Sequence, residues 1–423
     1  LTQRDESSIL SLLPESSTID ASGEVVVGGC RLSDLAESFG TPLWVVDEVG
    51  LRHQARRFQD TLQEQWPRSR AVFASKAFPC SAVYQVMAQE GLGVDVAGGG
   101  ELVLALNAGV DPRLIVVHGN AKTDEELTMA VEAGVGTIVI DNSDDIDRLE
   151  RVVPDVQGVL LRVVPGVRGA THDAISTGQE GSKFGLHRAD AEAAIARLRE
   201  SDRLRLDGLH MHIGSQILET EPFERAVEAL ASFGDFDVYD LGGGLGVRYT
   251  YDDHPPSPEK WVSALVRAAG KHLPSSASLL VEPGRAMVGR SGVTLYRVTT
   301  VKRGSPTFVA VDGGMADNLE VSLYGQRFEA AVVDRVMGDE VVDLVGRHCE
   351  SGDRLIADVA LNHPDIGDVV VVPATGAYMY TMQNNYNGAL KPPVVFVREG
   401  QAELRVRRET YDDFFLRDVE PGA

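Results

Sequence analysis

Arg70-Ala71-Val72-Phe73-Ala74-Ser75-Lys76-Ala77-Phe78 is a short, β-leaning apolar run that closes on a lysine. Runs of this kind recur at 71–74, 93–96, 114–117, 137–140, 158–164, 206–212, 237–241 and 279–282. Between them lie stretches with apolar residues at helical spacing, at 81–90, 100–107, 124–133, 143–152, 189–198, 221–233 and 258–271. Eight strand–helix units in succession predict an α/β fold, a (β/α)8 barrel of the TIM type rather than an open doubly wound sheet. After Arg285 strands dominate, at 292–302, 307–312, 368–373 and 393–398, and a second, β-rich domain is expected there. The strand-like piece 23–28 is expected to pair with that C-terminal sheet. The chain accordingly divides into an N-terminal segment 1–45 joining the β domain, a barrel 46–288 and a β-rich domain 289–423. No internal repeat or low-complexity segment interrupts the pattern.

Composition narrows the classes of function. The 423 residues include 40 basic and 63 acidic side chains, a formal charge of −23, which argues against nucleic acid or an anionic membrane as partner. Cys30, Cys80 and Cys349 are too few and too scattered for a disulfide framework or a zinc site; no metal is expected, and the thiols suit a reducing cytoplasm. There is no charged-then-apolar leader and no apolar run near about eighteen residues. A soluble, cytoplasmic protein is expected.

In such a barrel the C-terminal strand ends face the active site, and the uncommon side chains fall there. Lys76 ends the first run, Asp95 the second, His118 the third, His210 and His212 the sixth, and Glu282 with Arg285 the eighth. A lone lysine closing a strand is usually a snorkelling charge. An amine drawn out of water, however, gives up its proton more readily and attacks carbonyls. Gly242-Gly243-Gly244-Leu245-Gly246 follows the seventh run, where absent side chains let backbone N–H groups approach an anion. A tight turn is the plain alternative, and the Rossmann fingerprint is not matched. Amine nucleophile, phosphate cradle, carboxylate and imidazole together describe a pyridoxal 5'-phosphate site. On this reading Lys76 takes the aldehyde, the glycine loop the phosphate and Glu282 the pyridine nitrogen, while His212 stacks on the ring.

Eight motifs extend that reading: V-F-A-S-K-A-F around Lys76, G-V-D-V-A-G-G-G-E-L from Gly93, T-G-Q-E-G-S-K-F-G from Thr177, H-M-H-I-G-S-Q from His210, D-L-G-G-G-L-G from Asp240, E-P-G-R from Glu282, C-E-S-G-D from Cys349 and G-A-Y from Gly376. Through them the chain, from about residue 40 to its C-terminus, resembles the diaminopimelate decarboxylases, of the alanine-racemase-like (fold-type III) group of pyridoxal phosphate enzymes. The resemblance implies a barrel paired with a β domain drawn from both chain ends, and an amino-acid α-decarboxylase. It implies that Lys76 is the cofactor lysine and His212 the ring-stacking residue. Ser215, Gly243 and Gly244 become phosphate contacts, Glu282 the pyridine partner, and Asp95 and Gly284 further cofactor contacts. Arg285 lies between phosphate and substrate. Cys349, delivered from the other subunit of a homodimer with shared sites, protonates the carbon that loses carbon dioxide. Glu350 faces the substrate's distal ammonium group, and Tyr378 touches cofactor and substrate.

The substrate is where the chain departs from this pattern. The family's R-P-A-L-Y segment, whose arginine helps bind the distal carboxylate, corresponds to Glu320-Val321-Ser322-Leu323-Tyr324. Replacing a cation by an anion in a partly buried pocket costs a distal carboxylate on the order of several kcal/mol. Val164 also stands where the family often has asparagine. The sequence therefore leads to a decarboxylase of a diamino or other cationic amino acid lacking the distal carboxylate, with Glu320 and Glu350 facing the positive group. The alternative is an ordinary meso-diaminopimelate decarboxylase making L-lysine, with Glu320 turned to solvent and Arg285 and Tyr324 binding the substrate. A non-catalytic pyridoxal phosphate-binding homologue is the third reading, against which the presence of both Lys76 and Cys349 speaks.

Overall fold

The computed structural model describes residues 9–167 and 182–419; residues 177–181 of the T-G-Q-E-G-S-K-F-G motif lie outside them. The chain forms two units, one of Leu1–Leu51, Arg248–Asp253 and Gly289–Ala423, the other of Arg52–Val247 and His254–Val288.

The second unit is the expected barrel. Its strands are Ser69–Ala74, Gly93–Val96, Ile115–Val117, Thr137–Ile140, Gln157–Arg162, Leu204–His210, Val238–Asp240 and Ser278–Val281, all parallel, and the eighth pairs with the first to close the ring. Such strands are covered on both faces, so they read as continuous apolar runs without alternation. Val72, Val116, Val139 and Leu160, from four different strands, pack together with Val238 and Leu280, a layer of branched side chains that fills the barrel and leaves the strand ends above it for polar groups. Helices form where the apolar spacing predicts them, and several begin on a capping side chain. Thr123 and Glu126 make a reciprocal capping box for Asp124–Ala133, and Asn142 caps Ser143–Val152. Outside the ring, Trp261 meets Phe58 and Phe223 edge-on, at 5.9 and 5.6 Å between centroids.

The first unit is built on a nine-stranded sheet. Its main path runs Arg354–Leu361, Glu340–Val345, Phe308–Val311, Gly292–Lys302, Leu43–Asp47, Val394–Arg398 and Gln401–Val406; Val369–Val372 branches from Gly292–Lys302 and in turn pairs with Ala331–Val332. The piece 23–28 does not join this sheet. Val25–Val27 folds back on Cys30–Arg31 across Gly28-Gly29, both at positive φ, and pairs with Thr18–Ile19 in a separate three-stranded sheet; a two-residue glycine loop favours such a local hairpin. The strand the N-terminal segment lends is Leu43–Asp47, which crosses the expected boundary at residue 45. All five of its residues are buried, between strands from the C-terminal part of the chain. Among the described residues no helix is long and apolar enough to cross a membrane.

Candidate active site

The barrel unit brings its sequence-assigned residues into one connected group. Lys76 lies half-buried in the 3-10 turn Ser75–Ala77, directly after the first strand. The turn is tied down through Ser75, whose hydroxyl donates to Glu101 Oε2 at 2.9 Å, while the same oxygen accepts the Ala97 N–H at 2.7 Å. Gly284 lies against this turn. A β-carbon there would come within 2.9 Å of Ala74 Cβ, so only glycine lets the eighth-strand loop approach the lysine so closely. Asp95, 2% exposed, is pushed up to about 6 by burial, with His118 and Lys76 opposing and Glu282 adding to the shift.

The glycine loop needs its glycines for the same steric reason. A β-carbon on Gly243 would sit 2.0 Å from the Glu282 carbonyl oxygen, and one on Gly244, whose φ is +113°, 2.4 Å from the Gly214 carbonyl oxygen. Gly243 N–H donates to His212 Nδ1 at 3.3 Å, fixing the imidazole beside the loop. Burial holds His212 well below its ordinary value, with Lys76 and Arg162 acting in the same direction, so the ring is neutral. Arg285, 5% exposed, donates from Nε to Ser215 Oγ at 3.1 Å.

Glu282 is the centre of a buried polar cluster. His118 Nε2 approaches its Oε1 to 2.7 Å, though off a hydrogen-bonding direction, and His210 Nε2 faces its Oε2 at 3.1 Å. The two imidazoles meet edge to face, 4.7 Å between centroids. Asp240 joins them, with ligand-type atoms of all four residues within 4.8 Å of one another. Burial and the neighbouring Glu282 raise Asp240 well above its ordinary value. Sequence reasoning missed Asp240, Glu101 and Arg162 as site residues. Arg162 is 8% exposed and lies 3.6 Å from Asp141, with its guanidinium 4.6 Å from the Phe184 ring centre. Its signal was a charged residue closing the fifth strand, hidden inside an apolar run.

The β unit holds the remaining assigned residues. Cys349 and Glu350 are exposed. Cys349 N–H donates to Asn387 Oδ1 at 2.9 Å, and Glu350 Oε1 accepts the Tyr386 hydroxyl at 2.8 Å. Glu320 opens the short helix Leu319–Tyr324 and is 1% exposed; it does not turn to solvent, because the helix lays this side of its first turn inward. Tyr324, at the other end, is half-buried. Tyr378, also half-buried, has φ +68°, a conformation a bulky residue holds only where its surroundings impose it. Asp353 joins the two loops that carry these residues, accepting the Met315 N–H through Oδ1 and the His348 N–H through Oδ2, both at 2.7 Å.

Beneath them the Tyr296 hydroxyl donates to Asp317, which burial pushes up to about 7. A raised carboxyl favours the folded chain fully below its ordinary value of 3.8, and that contribution is lost as pH rises through about 7. Thermal melts of D317N are therefore expected to gain on the wild type by a few degrees as pH rises from about 4 to 8. A constant difference across that range would contradict the assignment.

Residues 51–289 match the family model described as "Pyridoxal-dependent decarboxylase, pyridoxal binding domain". The chain is 44% identical over 412 residues to the diaminopimelate decarboxylase of Actinosynnema pretiosum subsp. auranticum, covering 94% of this chain and 93% of that protein. To the diaminopimelate decarboxylase of Bacillus subtilis (strain 168) it is 42% identical over 421 residues, covering 94% and 95%. The chain belongs to the diaminopimelate decarboxylase family. The crystal structure of the family member from M. jannaschii in complex with L-lysine superposes with a TM-score of 0.90 at 29% identity, covering 96% of this chain and 98% of that one. The protein is thus a pyridoxal phosphate-dependent carboxy-lyase with the fold-type III barrel. The residues present fit that cofactor. Among the described residues Glu282 Oε1 and Asp95 Oδ1 are buried acceptors with no aligned donor, suited to a protonated ring nitrogen and an amine, and the glycine loop admits nothing bulkier than backbone.

Proposed function

We propose that the protein is a diaminopimelate decarboxylase, removing one carboxyl group of meso-diaminopimelate to give L-lysine. The observation that carries this reading is full-length similarity, at 39 to 44% identity, to proteins of that name. In this reading Lys76 carries the cofactor, and Gly243, Gly244, Ser215 and Arg285 hold its phosphate. Glu282 faces the pyridine nitrogen, His212 packs on the ring, and Asp95, Gly284 and Tyr378 complete the contacts. When bound, the cofactor supplies an electron sink for the pair released as carbon dioxide leaves. The remaining work falls to side chains. Arg285, Tyr324 and Glu350 would orient the substrate by its far end, so that the carboxylate to be lost is the one presented to the cofactor. Cys349 Sγ holds the proton delivered to Cα. Its exposure, with that of Glu350, suits a homodimer in which each protomer completes its partner's site.

A second reading rests on Glu320. Buried at 1% exposure, it stands where the family pattern has an arginine for the distal carboxylate, and two carboxylates in one dry pocket repel. A cationic amino acid without that carboxylate, such as lysine or ornithine, then fits better. Carbon dioxide release from meso-diaminopimelate and from both enantiomers of lysine and ornithine separates the two. Preferred turnover of meso-diaminopimelate supports the first reading, and preferred turnover of a lysine or ornithine enantiomer the second. Under the second, E320R is expected to raise kcat/KM for meso-diaminopimelate by about tenfold or more, the effect of removing one unfavourable charge contact.

A further inference from the structure

The end of the site around Glu282 holds more polar groups than pairing with a ring nitrogen requires. Asp240 is fully buried; its Oδ1 accepts the Gly242 N–H at 3.0 Å, and Oδ2 is left without a partner among the described residues. Two carboxyl groups this close in a dry interior cannot both ionise. Burial, reinforced by Glu282, raises Asp240. Burial would raise Glu282 too, but the His210 Nε2–H facing it at 3.1 Å and the His118 Nε2 at 2.7 Å act the other way and keep that carboxyl below its ordinary value. The proton therefore resides on Asp240, making its Oδ2 a donor. His210, pushed down to about 3 by burial, is neutral and presents Nε2–H to Glu282. Arg162 and Asp95 also face this group, with opposite charges.

Resting on the reading that Glu282 faces the cofactor's pyridine nitrogen, we propose that His118, His210 and Asp240 are positioning residues that keep Glu282 weakly basic, so that the shared proton stays on the ring. Each donor to a carboxylate, and each N–H dipole held close beside it, stabilises its charged form and lowers its affinity for a proton. A buried carboxylate stripped of these donors would be the stronger base and would take the proton, leaving a neutral ring that withdraws electrons less well. Asp240 also links the two ends of the cofactor site, since its other oxygen holds Gly242 at the head of the glycine loop.

The test is 15N NMR of ring-labelled pyridoxal phosphate bound to the full-length enzyme, with kcat and KM measured beside it. Wild type is expected to show a protonated ring nitrogen across the neutral range, and D240N, which keeps a donor, the same signal. D240L and H118L are expected to show an unprotonated ring nitrogen in that same range, with kcat down on the order of tenfold and KM little changed, the effect of one polar contact to a charged group. H118Q, which retains a donor, restores the signal and replaces H118L should that variant not fold. A ring nitrogen that stays protonated in leucine variants binding stoichiometric cofactor overturns the proposal, as does a D240N signal like that of D240L. E282Q separates the levels: an unchanged signal there removes the underlying pairing of Glu282 with the ring.

Discussion

K76A is expected to lose turnover by at least about a thousandfold, the scale on which covalent catalysis depends on its nucleophile. Borohydride treatment of the wild-type holoenzyme is expected to fix the cofactor to the peptide containing residue 76, and no such adduct should form in K76A. The expectation rests on place as much as on residue type. Lys76 rides a turn held from one side by the Ser75–Glu101 hydrogen bond and from the other by the close approach of Gly284, and its charge reaches both Asp95 and His212. Arginine should not rescue, because a guanidinium keeps its proton and is no nucleophile. A fixed adduct on another lysine, or turnover surviving in K76A, would sink the assignment.

C349A is expected to be almost as inactive, and its mixture with K76A to recover activity. If each site draws Lys76 from one protomer and Cys349 from its partner, random re-association of equal amounts leaves half the dimers with one intact site, about a quarter of wild-type activity. The exposure of Cys349 and Glu350 motivates this. Their loop is not loose, since Asp353 and Asn387 hold the backbone N–H groups of His348 and Cys349. A mixture no more active than its components, under conditions shown to exchange subunits, would place cysteine and lysine in the same protomer's site or remove the cysteine from the chemistry.

Much of the barrel was legible because its pattern is local. Each strand is a short branched run of three to seven residues, and each helix carries its own spacing, so the eight units read off in order. The β unit was less legible because its pairings are not local. Nothing in Leu43-Trp44-Val45-Val46-Asp47 announces that its neighbours are Gly292–Lys302 and Val394–Arg398, whereas the hairpin at Gly28-Gly29 is written in adjacent residues. Within the site, residues to which the family resemblance assigns a role were found. Arg162 and Asp240 were passed over because a charge at the end of an apolar run takes its meaning from what lies across the barrel. Glu320 shows the limit from the other side: its identity reads as a departure from the family pattern, but its burial depends on how a six-residue helix lies in the unit.

The strand Leu43–Asp47 also sets a timetable for synthesis. Trp44 pairs with Val394, 350 residues later, so the ladder between these two strands cannot close until almost the whole chain has left the ribosome. The barrel, complete by Val288, has all its strands much earlier. While the barrel folds, Trp44, Val45 and Val46 therefore wait unpaired for partners that lie beyond residue 291. The seam where β-unit folding fails first, in a truncated or slowly finished chain, is expected to be this strand.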